Sequence, residues 1–407
     1  MKRDLHHLMD ERGLDAIVVS GKMLGNSALQ YMVNGANIGG GYVIQKRGQE
    51  PILICSPIER EEAAASGLSI VNMSRYKFSK VLREHDDRLA AQVELYRRIF
   101  ADLEVQGRVG FYGMADPGGA WQLLNALDAQ LEGIEVYGDF DVTVIDEARA
   151  TKDAEEVERI REVGRRTAQI VKQTVEFLTA HAVKDEVLVQ ADGSSLTIGR
   201  VHEEITRLIA IQGLEDPEGF IFAIGRDAGV PHNRGNPEAL LRLGQTIVYD
   251  IFPRQAGGGY FFDMTRTFCL GYASPEVEQA YRDVYECMTA MIEAYQVGEP
   301  TRRYQQMTCA FLEERGHPTV GTDDSTEEGY VHSLGHGVGL AIHEEPRFSD
   351  LPSNTDVLRP GHVFTCEPGV YYPSRGYGIR LEDVLWVTED GAIQNLTDYP
   401  KELVIPL

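Results

Sequence analysis

Four acidic residues, Asp250, Asp263, Glu367 and Glu382, lie inside segments whose other residues predict apolar β-strands. A carboxylate among apolar neighbours is costly unless it is paired with a cation or binds a metal. A fold that buries these strands must therefore compensate the four negative charges. This requirement limits the possible structures more than the length or the composition of the chain does.

The first two acids lie on neighbouring predicted strands, Thr246–Phe252 and Tyr260–Cys269, which a glycine-rich stretch joins. Residues two apart share a face of a strand, so Asp263 and Thr265 point to the same side. The neighbours are too apolar for a face turned to water. A hairpin can bring Asp250 and Asp263 to one place, and together they indicate a site.

The other two acids follow the same rule. Glu367 alternates with apolar residues in the predicted strand His362–Glu367, and Glu382 lies in the predicted strand Gly378–Thr388. Arg380 is two residues from Glu382 on the same face, where it is either a structural ion-pair partner or a clamp for a substrate carboxylate. Four converging carboxylates would repel one another, whereas divalent cations would neutralise them.

A histidine-rich segment, His332-Ser-Leu-Gly-His336-Gly-Val-Gly-Leu-Ala-Ile-His343, lies between the two pairs of acids. Its first two histidines have the spacing of a helical zinc motif, but the glutamate of that motif is missing and the three glycines disfavour a helix. The glycines instead indicate backbone held close to bound ions or substrate. For His232 the sequence alone is ambiguous. Core or surface roles are predicted for five lone histidines, which are His6, His7, His85, His181 and His317.

The 407 residues exceed what one core usually supports, so we expect two domains. Residues 1–150 alternate short β-rich runs with helical stretches, which predicts an α/β sheet. A long helix begins near Asp153, where Asp153 and Glu156 can form a capping box. Further helices are predicted over Val201–Gln212, after Ser274-Pro275, and over Arg302–Arg315. We place the domain boundary near residue 150.

A formal net charge of −24 disfavours binding to nucleic acid or to an anionic membrane surface. The start of the chain, Met1–His7, leads into an amphipathic pattern rather than a secretory signal, and no stretch approaches the roughly 18 apolar residues of a membrane span. The five scattered cysteines predict reduced, mostly buried thiols. A cytoplasmic protein without nucleic-acid or membrane partners is expected.

Five positions, within their motifs and in order, resemble the metal ligands of the pita-bread metallopeptidases of family M24. They are Asp250, Asp263 in Phe-Asp-Met-Thr-Arg-Thr, His336 in Gly-His-Gly-Val-Gly, Glu367 in Glu-Pro-Gly-Val-Tyr and Glu382 in Arg-Leu-Glu-Asp. The resemblance covers roughly residues 150–407. The interval from Asp250 to Asp263 is two residues longer than usual in the family, but a longer hairpin tip preserves the strand register.

The resemblance implies a creatinase-like α/β domain over residues 1–150 and an α+β pita-bread catalytic domain with a curved antiparallel sheet over residues 151–407. It implies two divalent metal ions per subunit, with Mn favoured and Co, Zn or Fe as alternatives, because this ligand set is compatible with several metals. It also implies that Glu367 is a proton shuttle. His232, His332 and His343 match the family's non-ligand histidines, which bind substrate and stabilise the tetrahedral intermediate.

Relatives with such an N-terminal domain include aminopeptidase P and prolidase, so the resemblance implies hydrolysis of Xaa-Pro bonds, at the N-terminus of peptides or in dipeptides, by a homodimer. Two alternatives remain open. A creatinase-like or other non-peptide C–N hydrolase would keep the fold, because fold does not fix chemistry. A non-catalytic binding protein would show eroded ligands, which the sequence does not indicate.

Overall fold

The computed structural model describes residues 4–85 and 87–407, which divide into two compact units. The first contains the chain up to Arg149 together with Gly257–Gly259, and the second contains Ala150–Ala256 and Tyr260–Leu407. Part of the expectation about the chain start concerns residues 1–3, which lie outside the described residues.

The first unit is built on one mixed six-stranded sheet. Its strands are β1 (Ala16–Lys22), β2 (Gly40–Lys46), β3 (Ile52–Cys55), β4 (Ser69–Asn72), β5 (Gly107–Gly113) and β6 (Ile134–Tyr137). Its helices are α1 (Leu5–Glu11), α2 (Ser27–Met32), α3 (Arg60–Ala64), α4 (Phe78–Glu84), α5 (Arg88–Leu103), α6 (Pro117–Gln130) and α7 (Val144–Ala150), with 3-10 turns at Pro57–Glu59 and Met73–Tyr76.

The sheet has the order β4-β3-β2-β1-β5-β6. The pairs β1–β2 and β2–β3 are antiparallel, whereas β3–β4, β1–β5 and β5–β6 are parallel. Apolar residues of β1 and β5 pack against α5 and α6, and this cluster includes Val18, Val109, Ile99 and Leu127. The expectation of an α/β sheet in this part of the chain is thus confirmed.

The second unit contains several smaller sheets. Its strands are β7 (Ala182–Lys184), β8 (Val187–Val189), β9 (Leu214–Glu215), β10 (Ile221–Ile224), β11 (Thr246–Ile251), β12 (Arg254–Gln255), β13 (Met264–Leu270), β14 (His336–Gly337), β15 (Glu344–Arg347), β16 (Val363–Cys366), β17 (Gly369–Tyr372), β18 (Tyr377–Arg380), β19 (Asp383–Val387), β20 (Ile393–Asn395) and β21 (Val404–Ile405). Its helices are α8 (Ala154–Thr179), α9 (Ile198–Ile211), α10 (Pro275–Ala294) and α11 (Thr301–Glu313), with a 3-10 turn at Asp227–Gly229.

Helix α8 begins at the predicted capping box. Asp153 accepts hydrogen bonds from the backbone of Glu155 and Glu156, and the Glu156 side chain bonds back to Asp153 N. The buried face of the helix includes two polar residues, Thr167 and Thr174, which are fully buried. Their hydroxyls bond to carbonyl groups one turn earlier in the helix, which satisfies them inside the core.

Two sheets carry the acidic residues. One has the order β10-β11-β13-β21, with β11 and β13 forming the predicted antiparallel hairpin, and the other has the order β15-β14-β16-β19-β20. Most pairs in both sheets are antiparallel, and β13–β21 is parallel. The segment Gly378–Thr388 is not one strand as predicted. It divides into β18, which pairs with β17, and β19, which pairs with β16, and Glu382 lies at the break.

The remaining expectations concern the cysteines, helix α10 and membrane-spanning helices. All five cysteines are free and buried, as predicted. Helix α10 begins after Ser274 with Pro275 at its first position, as predicted, and it ends at Ala294. Over residues 4–85 and 87–407, no helix combines the length and the apolar character that crossing a bilayer requires.

Candidate metal centre

The β11–β13 hairpin brings the first two acids to the same face. Asp250 pairs across the hairpin with Thr265, and Asp263 precedes Thr265 by two residues. The longer interval between the two acids is therefore accommodated without loss of strand register. Both side chains lie in a closed environment, because Asp250 is 8% exposed and Asp263 is 4% exposed.

Glu382 joins this pair from the break between β18 and β19. The Glu382 N–H donates to the carbonyl of Thr265 at 3.1 Å, and the Thr265 hydroxyl donates to the Glu382 carboxylate at 2.7 Å. Thr265 therefore holds both the backbone and the side chain of Glu382. The interruption of the strand lets the chain change sheets while its acid stays buried, at 2% exposure.

The segment 330–344, which we call the histidine loop, brings His336 to the acids. Ligand atoms of Asp263, His336 and Glu382 all lie within 4.8 Å of one another. His336 Nε2 lies 3.6 Å from Asp263 Oδ2 and 3.4 Å from Glu367 Oε1. The structure thus brings together three predicted ligands in one cluster and a fourth, Glu367, beside it.

The electrostatics of the cluster favour the neutral forms of the acids. Desolvation and the neighbouring carboxylates of Glu382, Asp250 and Glu367 raise the pKa of Asp263 well above its ordinary value. Burial and the nearby Glu367 and Asp250 likewise raise the pKa of Glu382. Burial raises the pKa of Glu367 to about 8, with Asp250 adding to the increase and Arg380 opposing it.

Burial also lowers the pKa of His336 to about 3, with the neighbouring His343 adding to the effect. The imidazole is therefore neutral at physiological pH, the form that coordinates metal ions. Acids that repel one another beside a neutral imidazole form a donor set that a divalent cation would stabilise.

Two orphaned atoms test whether this donor set fits a metal ion. Oδ1 of Asp250 and Oδ1 of Asp263 are buried, and within the described parts of the chain neither has a hydrogen-bond partner. Buried polar atoms are nearly always satisfied, so each such exception needs an explanation. Acceptor atoms that face a cluster of carboxylates and an imidazole are suited to a cation, so the residues fit the metal that the sequence predicted.

Asp250 differs from the other acids because it has a cationic partner. Arg380 Nη2 donates to Asp250 Oδ2, and other donors of the same guanidinium reach the Thr265 hydroxyl at 3.1 Å and the Tyr371 hydroxyl at 2.7 Å. A further bond runs to the carbonyl of Pro231. Because protein groups already engage this guanidinium on three sides, the geometry favours the ion-pair role of Arg380 over the substrate clamp.

The non-ligand histidines surround the cluster. His332 Nε2 lies 2.9 Å from the Tyr371 hydroxyl, and its Nδ1 lies 3.9 Å from Glu367 Oε2. The His343 ring meets the His336 ring edge to face, with centroids 4.3 Å apart. Burial lowers the pKa of His332 and of His343, and the nearby His232 lowers both further. His232 and His343 are exposed side chains. His232 therefore lies close enough to His332 and His343 to affect their ionisation.

The glycines of the histidine loop approach other parts of the protein. A Cβ on Gly335 would lie 2.1 Å from the carbonyl oxygen of Thr365, and one on Gly337 would lie 2.1 Å from that of Glu345. A Cβ on Gly339 would meet the Glu344 carboxylate. These glycines thus pack closely against neighbouring strands and a side chain, while nearness of their backbone to bound ions or substrate stays a prediction.

Three supporting residues were not predicted. Thr265 bonds to Glu382, Thr365 accepts a hydrogen bond from His336 N at 3.1 Å, and Tyr371 connects His332 to Arg380. The strand alternation placed both threonines on the same faces as the acids. The bonds of Tyr371 depend on the pairing of β17 with β18, which the sequence does not reveal.

Comparison with known proteins identifies the family. Residues 158–389 match the sequence model of metallopeptidase family M24, and this segment is more than half of the chain. The chain therefore belongs to metallopeptidase family M24, which confirms the resemblance seen in its motifs.

Two relatives illustrate the range of similarity. The protein named "Probable dipeptidase PepE" of Mycobacterium tuberculosis is 32% identical over 262 residues, which cover 64% of this chain and 62% of that protein. This match thus spans less than two thirds of the relative's length. The Xaa-Pro dipeptidase of Pyrococcus furiosus is 26% identical over 409 residues, which cover 99% of this chain and all of that protein.

Solved structures are similar over nearly the whole chain. An Xaa-Pro dipeptidase from Bacillus anthracis superposes with a TM-score of 0.76 at 24% identity, covering 100% of this chain and 98% of that one. The prolidase from Pyrococcus horikoshii OT3 superposes with a TM-score of 0.73 at 23% identity, covering 98% of this chain and 99% of that one. These likenesses confirm the predicted pita-bread fold.

Proposed function

We propose that this chain is a metal-dependent exopeptidase that hydrolyses Xaa-Pro bonds in dipeptides or at the N-terminus of peptides. The observation that carries the proposal is the buried cluster of Asp263, His336 and Glu382, whose ligand atoms lie within 4.8 Å of one another. Such a cluster is unfavourable without a cation. Membership of a metallopeptidase family supports a hydrolytic use of that cation.

We assign five ligands to two divalent ions per subunit, with Mn favoured and Co, Zn or Fe as alternatives. They are Asp250, Asp263, His336, Glu367 and Glu382. The raised pKa values of three of these acids support the assignment, because a bound cation would favour their ionised forms. When bound, such ions would supply Lewis-acid polarisation and a water that is deprotonated near neutral pH.

The chain's own residues have distinct roles in this proposal. Glu367, whose pKa burial raises to about 8, holds and returns a proton at its carboxyl oxygens. His332 is oriented through Nε2 by Tyr371, so its ring is fixed beside Glu367. His332, His343 and His232 bind the substrate and stabilise the charge that develops on its carbonyl oxygen. Arg380 orients Asp250 through their buried ion pair.

The names of relatives support the substrate class. The full-length match is named an Xaa-Pro dipeptidase, and a shorter match is named a dipeptidase. We therefore propose dipeptides with proline in the second position as the preferred substrates. Residues 1–150 would form the creatinase-like domain and residues 151–407 the catalytic domain of a cytoplasmic homodimer. No nucleic-acid or membrane partner is proposed, and the net charge of −24 agrees with this choice.

Metal analysis combined with peptide hydrolysis tests the proposal. The purified protein is assayed on Ala-Pro, Ala-Pro-Ala and Ala-Ala before chelation, after chelation, and after Mn or Co is restored. We expect metal-dependent release of alanine from the proline-containing substrates. Hydrolysis of non-peptide amides alone would contradict the proposal and favour the creatinase-like alternative, and an absence of both metal and hydrolysis would favour a binding protein.

A further inference from the structure

Helix α11 carries a buried amide side chain, that of Gln305, which contacts the histidine loop. Gln305 is 4% exposed and lies on the inner face of the helix, between Tyr304 and Thr308, which are also buried. Helical positions of this kind are normally apolar, because a buried amide is costly unless its hydrogen bonds are satisfied. The partners of Gln305 therefore show what the amide is for.

Three of its partners belong to one short segment, residues 330–334, and its Nε2 also lies 3.9 Å from Cys309 Sγ on the same helix. Gln305 Oε1 accepts from the N–H of Leu334 at 2.6 Å and from the hydroxyl of Tyr330 at 2.9 Å. Its Nε2 donates to the carbonyl of His332 at 3.0 Å. Because the Leu334 N–H can only donate, the orientation of the amide is defined by the network.

The same segment is connected to the metal centre on its other side. The carbonyl of Leu334 accepts from the N–H of Glu367 at 2.8 Å. Leu334 is thus bonded through its N–H to Gln305 and through its carbonyl to Glu367, and its side chain is fully buried. The amide of Gln305 therefore links helix α11 to the backbone segment that carries His332 and that accepts a hydrogen bond from Glu367.

We propose that Gln305 is a positioning residue that fixes His332 for the reaction. The His332 ring is held by Tyr371 at Nε2, while the His332 backbone is held by Gln305, so both ends of the residue are constrained. A change of backbone position at residue 332 would turn the imidazole away from Glu367. This inference rests on the proposed function, because it gives His332 a role in catalysis.

Substitution Gln305→Met tests the inference, because methionine keeps the length of the side chain but removes its hydrogen bonds. The Leu334 N–H and the His332 carbonyl would lose their partners, and the segment would open. We expect kcat/KM on Ala-Pro to fall by about 10-fold or more, the scale typical of lost supporting partners. We expect the affinity for Mn²⁺, measured by calorimetry, to change by less than about 3-fold, since His336 N is held separately by Thr365.

Gln306→Met is the matched control. Gln306 is the next residue on the same helix, is exposed, and bonds to Asp350 instead of the histidine loop. We expect its kcat/KM and Mn²⁺ affinity to equal those of the unchanged protein. A second variant, Tyr330→Phe, removes one of the three bonds without opening a cavity, and we expect a smaller loss of kcat/KM, of about 2-fold to 5-fold.

Hydrogen–deuterium exchange of the full chain gives a readout that does not need activity. We expect faster exchange at residues 331–335 in Gln305→Met and no change there in Gln306→Met. Unchanged exchange, or a kcat/KM within about 2-fold of the unchanged protein, would overturn the role of Gln305. If the unchanged protein cleaves no Xaa-Pro peptide, the proposed function fails, while the exchange result still decides whether Gln305 holds the loop.

Discussion

The acid-bearing strands and the histidine loop, residues 330–344, are stabilised in opposite ways. The strands have regular sheet pairing and apolar neighbours, yet their buried acids repel one another and oppose folding. The loop has little regular pairing, and neutral side chains such as Gln305 and Thr365 hold it in place. The strands therefore supply charge that a cation must balance, whereas the loop supplies histidines whose positions hydrogen bonds must fix.

The largest expected effect is the loss of metal binding on Asp263→Asn. The change keeps the shape of the side chain but removes a charge from the cluster. We expect activity and metal affinity to fall by more than about 100-fold, beyond the usual cost of a lost supporting partner. The metal-free variant should nevertheless unfold at a higher temperature than the metal-free unchanged protein, because it lacks one buried acid whose ionised form the folded state destabilises.

Asp324→Asn is the control for this change, since Asp324 is exposed. Calorimetry with Mn²⁺ and thermal unfolding are the measurements. Equal metal affinity in Asp263→Asn and the unchanged protein would remove Asp263 from the site.

Arg380→Met breaks the ion pair between Arg380 and Asp250. The Arg380 and Asp250 side chains are 4% and 11% exposed, so the variant leaves a buried, uncompensated charge. We expect the metal-free protein to lose about 3–5 kcal/mol of unfolding free energy, measured with urea. The exposed Arg375 pairs with Glu276, and Arg375→Met should change stability by less than about 0.5 kcal/mol. Similar losses in both variants would show that the buried pair contributes no more to stability than the exposed pair.

The pH dependence of the metal-free protein follows from the raised pKa of Glu367. This pKa is about 8 in the folded chain against an ordinary value of 4.5, so the folded state binds more protons between these values. Stability is therefore greatest below the lower value and falls as the pH rises toward 8. Between pH of about 5.5 and 7.5, we expect a loss of about 2–3 kcal/mol, because one pKa unit corresponds to about 1.4 kcal/mol.

Thermal unfolding with chelator across this pH range measures the loss. Added Mn²⁺ should restore more stability at the higher pH than at the lower one. Metal-free stability that rises over the same range would mean that the acids are compensated by the protein itself.

The smallest effect is expected in the loop, from Gly337→Ala. The added Cβ would lie 2.1 Å from the carbonyl oxygen of Glu345, so strands β14 and β15 must move apart. We expect a loss of about 1–3 kcal/mol of unfolding free energy, as for overpacked sites. Gly138 has open space at the same position, so Gly138→Ala should be close to neutral. Equal stability of the two variants, measured by urea unfolding, would show that the loop tolerates displacement.

Much of the site could be predicted from the sequence, because strand alternation identifies which acids are buried. The hairpin that places Asp250 beside Asp263 is a local structure, and a short connection between apolar strands indicates it. The capping box at Asp153 is also local, and it was predicted correctly. Local patterns of this kind need no knowledge of distant contacts.

The rest depends on pairing between distant segments. The break at Glu382 arises because β18 and β19 pair with different strands, and a continuous apolar pattern does not reveal that change of partner. Strand β4 was not predicted, since its residues are mostly exposed and lack alternation. Gln305 gave no signal, because its backbone partners at Leu334 and His332 are 29 and 27 residues away and are groups that every such residue carries.

Anomalous X-ray scattering from crystals grown with Mn²⁺ shows whether the buried acids and His336 hold a metal ion, because it locates the ion rather than its effects. We expect strong peaks within about 2.5 Å of side-chain oxygens of Asp263 and Glu382, with His336 Nε2 beside one of the peaks. A map with no peak among these side chains, or with peaks only at surface carboxylates, would contradict it.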